Sequence, residues 1–202
     1  MHNKLEKIKI AIFISGRGSN MESLIKASKR QKFPALVSVV ITNNKFAKGI
    51  QLVKNYDVPI EIFDKKKFNK MQFETHCQSV LLKHKIEMIC LAGFMQILSK
   101  NFINKWQNRI INIHPSYLPD NKGLNAQKQA FYKKASFTGC TVHFVNEKID
   151  SGKIIVQKKV KIMHKDDLQS LSNRILLQEH IIFPKALKKV ALSIIKLKNY
   201  EN

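Results

Sequence analysis

Apolar segments of strand length alternate with amphipathic helical segments over the first two thirds of the chain. The strand-like segments cover residues 8–14, 36–42, 59–63, 87–93 and 109–114. Helical patterns follow them at about residues 21–29, 47–55, 68–85, 99–106 and 125–134. A helix between two strands carries the chain back so that the strands run in the same direction. The pattern therefore predicts an α/β fold with a mostly parallel central sheet and helices on both faces.

The last third of the chain has a different pattern. Residues 138–146 and 153–162 predict two further strands around the turn EKIDSGK, an antiparallel addition to the sheet. Residues 167–199 have a helical pattern that we expect to break at Phe183–Pro184, because proline lacks a backbone N–H and clashes with the preceding turn. Neither internal repeats nor a Ser/Gly-rich linker divides the chain. We therefore expect a single domain over residues 1–202.

The composition favours a folded protein of the cytoplasm. Hydrophobic residues make up 44% of the chain, but there is no apolar run of the roughly 18 residues that a membrane span needs. The N-terminal residues are charged and lead into a glycine-rich turn, so we expect a strand rather than a secretory signal. Cys77, Cys90 and Cys140 lie far apart without CxxC spacing. This predicts reduced, mostly buried thiols and no zinc site.

The net charge is strongly positive. The chain has 36 Lys and Arg against 14 Asp and Glu, which gives +22 at pH 7. A charge of this size is compatible with nucleic-acid binding. However, only four of the basic residues are arginines, and the lysines are scattered over the whole chain. We favour drift in composition together with attraction of small anionic substrates, and we do not expect a nucleic-acid partner.

A glycine-rich turn, ISGRGSN at residues 14–20, connects the first strand to the first helix. Glycines let the backbone approach an anion, and the free N–H groups at a helix N-terminus can bind phosphate. The dinucleotide fingerprint needs a third glycine where Met21 stands, and no GK[ST] follows, so nicotinamide binding and a P-loop are disfavoured. A single phosphate held by Gly18, Ser19 and Asn20 fits better. A plain strand-to-helix turn would have the same pattern.

Two polar residues stand at the end of the apolar segment at 109–114. Asn112 and His114 are two positions apart on a strand, so both point to the same side, at the edge where open α/β sheets bind ligands. Asp150, in the turn EKIDSGK, is a candidate carboxylate partner that would orient His114 and favour its protonated form. The alternatives are a structural histidine and a turn-forming aspartate.

Four blocks of the sequence resemble the phosphoribosylglycinamide formyltransferase family. They are ISGRGSN (14–20), LAGFMQIL (91–98), INIHPSYLP (111–119) and TGCTVHFVNEKIDSGKII (138–155). They occur in order with compatible spacing, and the resemblance runs over roughly residues 8–185. It implies a Rossmann-like formyltransferase fold, with a phosphate-binding half at about 1–100 and a folate and catalytic half at about 100–202.

The resemblance implies an enzyme of de novo purine biosynthesis. It would transfer the formyl group of its co-substrate, 10-formyltetrahydrofolate, to the amine of glycinamide ribonucleotide, without a metal. The Asn112 amide and protonated His114 would stabilise the oxyanion, and Asp150 would assist proton transfer. The ribonucleotide would contact Gly18, Ser19, Asn20 and Glu179. The implied folate-binding residues are Lys70, Met95, Gln96, Ile97, Leu98, Asn112, Asn146, Glu147, Lys148, Ile149 and Asp150.

The chain departs from the family pattern around the folate site. Many members have Arg where Gln96 stands, so this contact would be neutral here. An Arg that relatives use for the folate glutamate tail is missing, and Lys70 lies near the equivalent place. These differences bear on folate affinity more than on the chemistry.

Three other functions compete with this interpretation. Methionyl-tRNA formyltransferase and formyltetrahydrofolate deformylase have the same catalytic triad, but both carry an additional domain that we do not expect here. A non-catalytic basic binding module would give His114 no role. We expect small-molecule substrates, no membrane partner, and a monomer or weak homodimer.

Overall fold

The computed structural model describes residues 6–64 and 67–201. The strands within these residues are β1 (Ile8–Ile14), β2 (Ala35–Thr42), β3 (Ile60–Ile62), β4 (Met88–Leu91), β5 (Ile110–His114), β6 (Phe137–Phe144) and β7 (Ile154–Lys161). The helices are α1 (Ser19–Ser28), α2 (Gly49–Val53), α3 (Lys70–Lys83), α4 (Lys100–Lys105), α5 (Ala126–Tyr132) and α6 (Leu168–Glu201), with a 3₁₀ turn at Lys54–Tyr56.

All seven strands form one sheet in the order β3-β2-β1-β4-β5-β6-β7. Pairing is parallel from β3 to β5 and antiparallel from β5 to β7. This confirms the predicted α/β fold with its antiparallel C-terminal addition. The strand order reverses at β1, which has β2 on one side and β4 on the other. The loops that follow β1 and β4 therefore border the crevice where such sheets bind ligands.

Strand β1 lies at the centre of two apolar cores. Its residues Ile8, Ile10, Ile12 and Ile14 pack with α1 and α6 on one face of the sheet. On the opposite face Phe13 packs with α3 and α4, and all of these β1 side chains are fully buried. Burying one large apolar side chain stabilises a fold by about 1.5–3 kcal/mol. Burial on both faces explains why every residue of β1 except the exposed Lys9 is apolar.

The three cysteines are buried free thiols. Cys77 lies on α3, Cys90 on β4 and Cys140 on β6. Burial raises the pKa of all three thiols, so they stay protonated at neutral pH. The prediction of buried, reduced cysteines is confirmed.

The predicted break in the last helix is wrong. Helix α6 continues through Pro184 as one element of 34 residues. Phe183 and Leu187, on either side of the proline, are fully buried in the core with α1 and the sheet. This packing offsets the hydrogen bond that proline cannot donate. Despite its length, neither α6 nor any other helix within residues 6–64 and 67–201 is apolar enough to cross a membrane.

Candidate active site

Asn112 and His114 lie at the C-terminal end of β5, at the edge of the sheet where the parallel strands end. Their side chains share one side of the strand, as the alternation predicted. His114 is almost fully buried, and Asn112 is half-buried. The neighbouring antiparallel strand β6 places His143 directly opposite Asn112. The sheet therefore brings an amide and two imidazoles together.

Asp150 lies against His114. Its Oδ2 atom is 3.2 Å from His114 Nδ1, and the Asp150 side chain is only 10% exposed. The residue sits in the turn between β6 and β7 with a φ of 46°, a left-handed conformation that Asp tolerates better than most residues. Gly152 makes this turn possible, because a Cβ there would lie 1.7 Å from the Phe144 carbonyl oxygen. The structure thus brings together all three residues predicted to be catalytic.

His143 completes the cluster and was missed by the sequence analysis. Its Nδ1 lies 2.8 Å from the Phe144 carbonyl oxygen, and its Nε2 lies 3.3 Å from Asn112 Nδ2 and 3.5 Å from Asp150 Oδ1. In the tautomer whose Nδ1 donates to that carbonyl, Nε2 accepts from the Asn112 amide. The signal in the sequence was a lone polar residue in TVHFV. It was not enough to place His143 beside Asn112, because the pairing register of β5 with β6 cannot be obtained from either strand alone.

The loop after β5 closes over His114. The Asn121 carbonyl oxygen lies 2.9 Å from His114 Nε2, and the Gly123 N–H donates to Asp150 Oδ2 at 2.8 Å. Lys122 Nζ also donates to Ser151 Oγ at 2.7 Å, so this loop is tied to the Asp150 turn at two points. Both ring nitrogens of His114 therefore face oxygen acceptors, which only a doubly protonated ring satisfies completely.

Burial has the largest influence on the pKa of His114. Burial lowers its pKa below the ordinary value of 6.5, and the Asn121 carbonyl and the Asp150 charge raise it by less. Burial therefore acts against the protonated form of His114 that Asp150 favours. For Asp150, burial alone would raise the pKa, but the contacts with His143 and with the Gly123 N–H, together with the nearby histidines, lower it below the ordinary value.

A cavity of about 620 Å³ opens beside this cluster. Its apolar part includes Met95 and Ile97, which are 68% and 62% exposed although they are large hydrophobic residues. Such exposure beside a cavity is typical of a ligand site. The predicted folate residues that line it are Met95, Gln96, Ile97, Leu98, Asn112, Asn146, Glu147, Lys148, Ile149 and Asp150. The structure does not bring Lys70 to this cavity: it is the first residue of α3 and is exposed.

The glycine-rich turn after β1 forms a separate polar site. Gly18 precedes α1 with a φ of 82°, and a Cβ there would come within 2.8 Å of the Gly49 Cα. Ser19 and Asn20 open the helix. Asn20 Nδ2 donates to Glu179 Oε2 at 2.6 Å, so two residues 159 positions apart meet as the ribonucleotide prediction requires.

The Asn20–Glu179 pair retains unused hydrogen-bonding capacity. Asn20 Oδ1 is buried without a hydrogen-bond partner among the described residues. Glu179 is only 5% exposed, and burial raises the pKa of its carboxyl, against the opposing influence of Asn20 and Arg17. A buried acceptor without a donor is costly, and a ligand hydroxyl or amine would satisfy it.

The described residues contain no group of three or more His, Cys, Asp or Glu side chains placed to hold a metal ion. The polar groups of the cluster beside the cavity are the Asn112 amide, the imidazoles of His114 and His143, and the Asp150 carboxylate. These groups can stabilise a developing oxyanion and move a proton between two nitrogen atoms.

The fold is that of the enzymes that transfer formyl groups. The sequence profile described as formyl transferase matches residues 8–187, so the chain belongs to the formyl transferase family. Phosphoribosylglycinamide formyltransferase from Haemophilus influenzae is 35% identical over 95% of this chain and 91% of its own length. The corresponding Bacillus subtilis enzyme is 35% identical over 90% of this chain and 94% of its own length. Within the family the chain therefore groups with the phosphoribosylglycinamide formyltransferases.

Solved structures agree with this grouping. The phosphoribosylglycinamide formyltransferase of Brucella melitensis superposes with a TM-score of 0.88 at 38% identity, covering 92% of this chain and 96% of that one.

A longer relative matches this chain over part of its own length. The human trifunctional purine biosynthetic protein adenosine-3 is 40% identical over 95% of this chain. The match covers only 19% of that protein, so the chain spans about a fifth of the length of this longer relative.

Proposed function

We propose that this chain transfers the formyl group of 10-formyltetrahydrofolate to the amine of glycinamide ribonucleotide in de novo purine biosynthesis. The observation that carries the proposal is the Asn112–His114–Asp150 cluster at the wall of a largely apolar cavity. The Asn20–Glu179 pair supports it, since it offers a buried carboxylate and an unpaired acceptor behind the glycine-rich turn.

The two substrates would occupy neighbouring sites. The pterin and benzoyl groups of the folate fit an apolar cavity of about 620 Å³ lined by Met95 and Ile97. The ribonucleotide phosphate would lie at Gly18 and Ser19, whose turn is joined to the cavity wall by the hydrogen bond from the Met95 N–H to Ser15 Oγ, at 2.9 Å. Holding both reactants in contact removes much of the entropic part of the barrier.

The reaction begins when the amine nitrogen attacks the formyl carbon and creates a tetrahedral oxyanion. One hydrogen of the Asn112 amide is directed to His143 Nε2, so the second is free to donate to the oxyanion. A preorganised donor of this kind contributes about 10²–10³ in rate. His143 thus holds Asn112 in the orientation that the reaction needs.

His114 would carry the proton. Its neutral ring accepts the proton that the attacking amine releases, directly or through a water, and Asp150 stabilises the resulting imidazolium at 3.2 Å. The charged ring assists the oxyanion and then returns the proton to folate N10 as the carbon–N10 bond breaks. The products are the formamide of the ribonucleotide and tetrahydrofolate. Substrate entry would have to displace the Asn121 carbonyl from His114 Nε2.

The deciding experiment compares formyl acceptors. Purified protein is incubated with 10-formyltetrahydrofolate and either glycinamide ribonucleotide, charged initiator tRNA or no acceptor, and products are identified by mass spectrometry. We expect formylated ribonucleotide, formed about 10³-fold more slowly or slower still by the His114→Ala variant. Formylation of the tRNA would indicate the methionyl-tRNA formyltransferase function, and release of formate without any acceptor would indicate a deformylase.

A further inference from the structure

Three loops at the ligand-binding edge of the sheet are joined through Asn43, which follows β2. Ser15 Oγ, after β1, donates to Asn43 Oδ1 at 2.7 Å. Asn43 Nδ2 in turn donates to Gln96 Oε1, after β4, at 3.0 Å. Asn43 is only 4% exposed, whereas Gln96 is half-buried and lines the cavity. A buried side chain therefore holds one end of a side chain that faces the ligand site.

The hydrogen bonds of the Ser15 hydroxyl determine how the Asn43 amide is oriented. The Met95 N–H donates to Ser15 Oγ at 2.9 Å, which uses the hydroxyl oxygen as an acceptor. The hydroxyl has a single proton, and it donates that proton to Asn43 Oδ1. The opposite orientation of the Asn43 amide would leave that proton without this acceptor. Asn43 therefore presents its NH₂ group to Gln96, and Gln96 must turn its carbonyl oxygen towards Asn43.

We propose that Asn43 is a positioning residue that directs the Gln96 NH₂ group towards the cavity, where it donates to an acceptor oxygen of the formyl folate. This inference rests on the proposed function, because folate is the cavity ligand that offers carbonyl and carboxylate oxygens. An amide free to rotate presents either its donor or its acceptor. A fixed amide selects ligands that carry an acceptor at this point, at lower entropic cost.

The glycine-rich turn does not depend on Asn43 for its position. The Ser15 backbone N–H donates to the Gly93 carbonyl at 3.1 Å, and Asn44 Nδ2 donates to the Ser15 carbonyl at 2.9 Å. A change at Asn43 should therefore alter the folate side of the site and leave the ribonucleotide side in place.

The Asn43→Asp variant tests the polarity. An aspartate still accepts from Ser15 Oγ but cannot donate to Gln96, so the Gln96 amide turns its NH₂ group to the new carboxylate and its carbonyl oxygen to the cavity. We expect the KM for 10-formyltetrahydrofolate to rise about tenfold, the effect of one misdirected hydrogen bond. The kcat and the KM for glycinamide ribonucleotide should change by less than about twofold. Asn55→Asp, at an exposed position in the 3₁₀ turn, controls for the added negative charge.

A double-mutant cycle shows whether Asn43 acts through Gln96. Gln96→Met removes the amide, so Asn43→Asp should raise the folate KM by no more than about twofold in that background. Equal effects of Asn43→Asp in both backgrounds, or an unchanged folate KM in the single variant, would overturn the proposal. If Asn43→Asp does not fold, Gln96→Glu tests the same point: it accepts from Asn43 and offers the cavity only acceptor oxygens. Its folate KM should also rise about tenfold, and an unchanged value would equally overturn the proposal.

Failure of the proposed function would look different. Calorimetric titration of the wild-type protein with tetrahydrofolate is independent of turnover. If the wild-type protein binds tetrahydrofolate but transfers no formyl group, the proposed reaction is wrong, while the cycle can still be completed on binding constants. Absence of tetrahydrofolate binding to the wild-type protein would refute both.

Discussion

Replacing Asp150 with asparagine tests the central feature of the site, the carboxylate beside His114. Asparagine has nearly the same shape and tolerates the left-handed φ of 46° found at this position. The change therefore removes the negative charge while it keeps an oxygen next to His114 Nδ1. If His114 becomes an imidazolium during the reaction, Asp150→Asn destabilises that charged state.

The distance sets the size of the effect. Two opposite charges 3.2 Å apart attract by about 5 kcal/mol at the effective dielectric constant of roughly 20 that suits protein sites. The asparagine oxygen retains part of this interaction, so we take about 3 kcal/mol as the loss. Since each 1.36 kcal/mol corresponds to a factor of ten, kcat should fall roughly 100-fold. The KM values for both substrates should stay within about threefold, because Asp150 would act on the transition state rather than on binding.

The pH profile gives an independent measurement. The Asp150 charge raises the pKa of His114 against the lowering by burial, so its removal lowers that pKa further. If neutral His114 is the active form of the free enzyme, the acid limb of kcat/KM marks its protonation. That limb should move to lower pH in Asp150→Asn.

Asp57→Asn is the matched control. Asp57 is an exposed aspartate in a turn with a φ of 55°, so the same chemical change is made in the same backbone conformation away from the cavity. It should leave kcat and the pH profile unchanged. If Asp150→Asn retains kcat within about threefold and the acid limb stays in place, Asp150 is a turn residue and the proposed proton route is wrong.

Three further predictions concern other parts of the molecule. His114→Ala should reduce kcat by several orders of magnitude, about 10³ or more, and leave the circular dichroism spectrum unchanged. The control His164→Ala, at an exposed site, should have no effect on kcat. Near-normal turnover of His114→Ala would exclude a catalytic role for His114. Ser19→Ala should raise the KM for glycinamide ribonucleotide about tenfold and leave the KM for folate unchanged, because it removes a hydroxyl from the proposed phosphate site. A change in the folate KM alone would contradict the phosphate assignment. Ser193→Ala, on the exposed part of α6, is the control. Pro184→Ala should increase the free energy of unfolding in urea by about 1 kcal/mol or more, since alanine restores an N–H donor inside α6; a lower midpoint would mean that the helix packs around the ring.

The strongest sequence predictions concern groups whose geometry is local. Alternation along β5 places Asn112 and His114 on one side whatever the rest of the chain does. The α/β pattern also predicts that the C-terminal end of β5 lies beside the crevice. The residues around Asp150 predict a turn between β6 and β7. The contact of 3.2 Å between Asp150 and His114 was nevertheless anticipated through the family resemblance, because residue spacing alone favours a simple turn.

One prediction failed because long-range packing outweighed a local rule. The proline rule predicted a broken helix, but burial of Phe183 and Leu187 keeps α6 continuous. At His114, burial lowers the pKa of the imidazole while the neighbouring carboxylate raises it. In both places the buried environment opposes an effect that neighbouring residues alone would produce.

The sequence by itself determined the α/β fold, the buried cysteines and the side of β5 on which the polar pair stands, because these depend on periodicity and residue type over a few neighbouring positions. Only the tertiary structure decided that His143 lies against Asn112, that Asn20 reaches Glu179 and that Asn43 holds Gln96. Those contacts join segments from different strands and helices. Their register and distance arise from how the whole sheet pairs and packs, which short stretches of sequence do not encode.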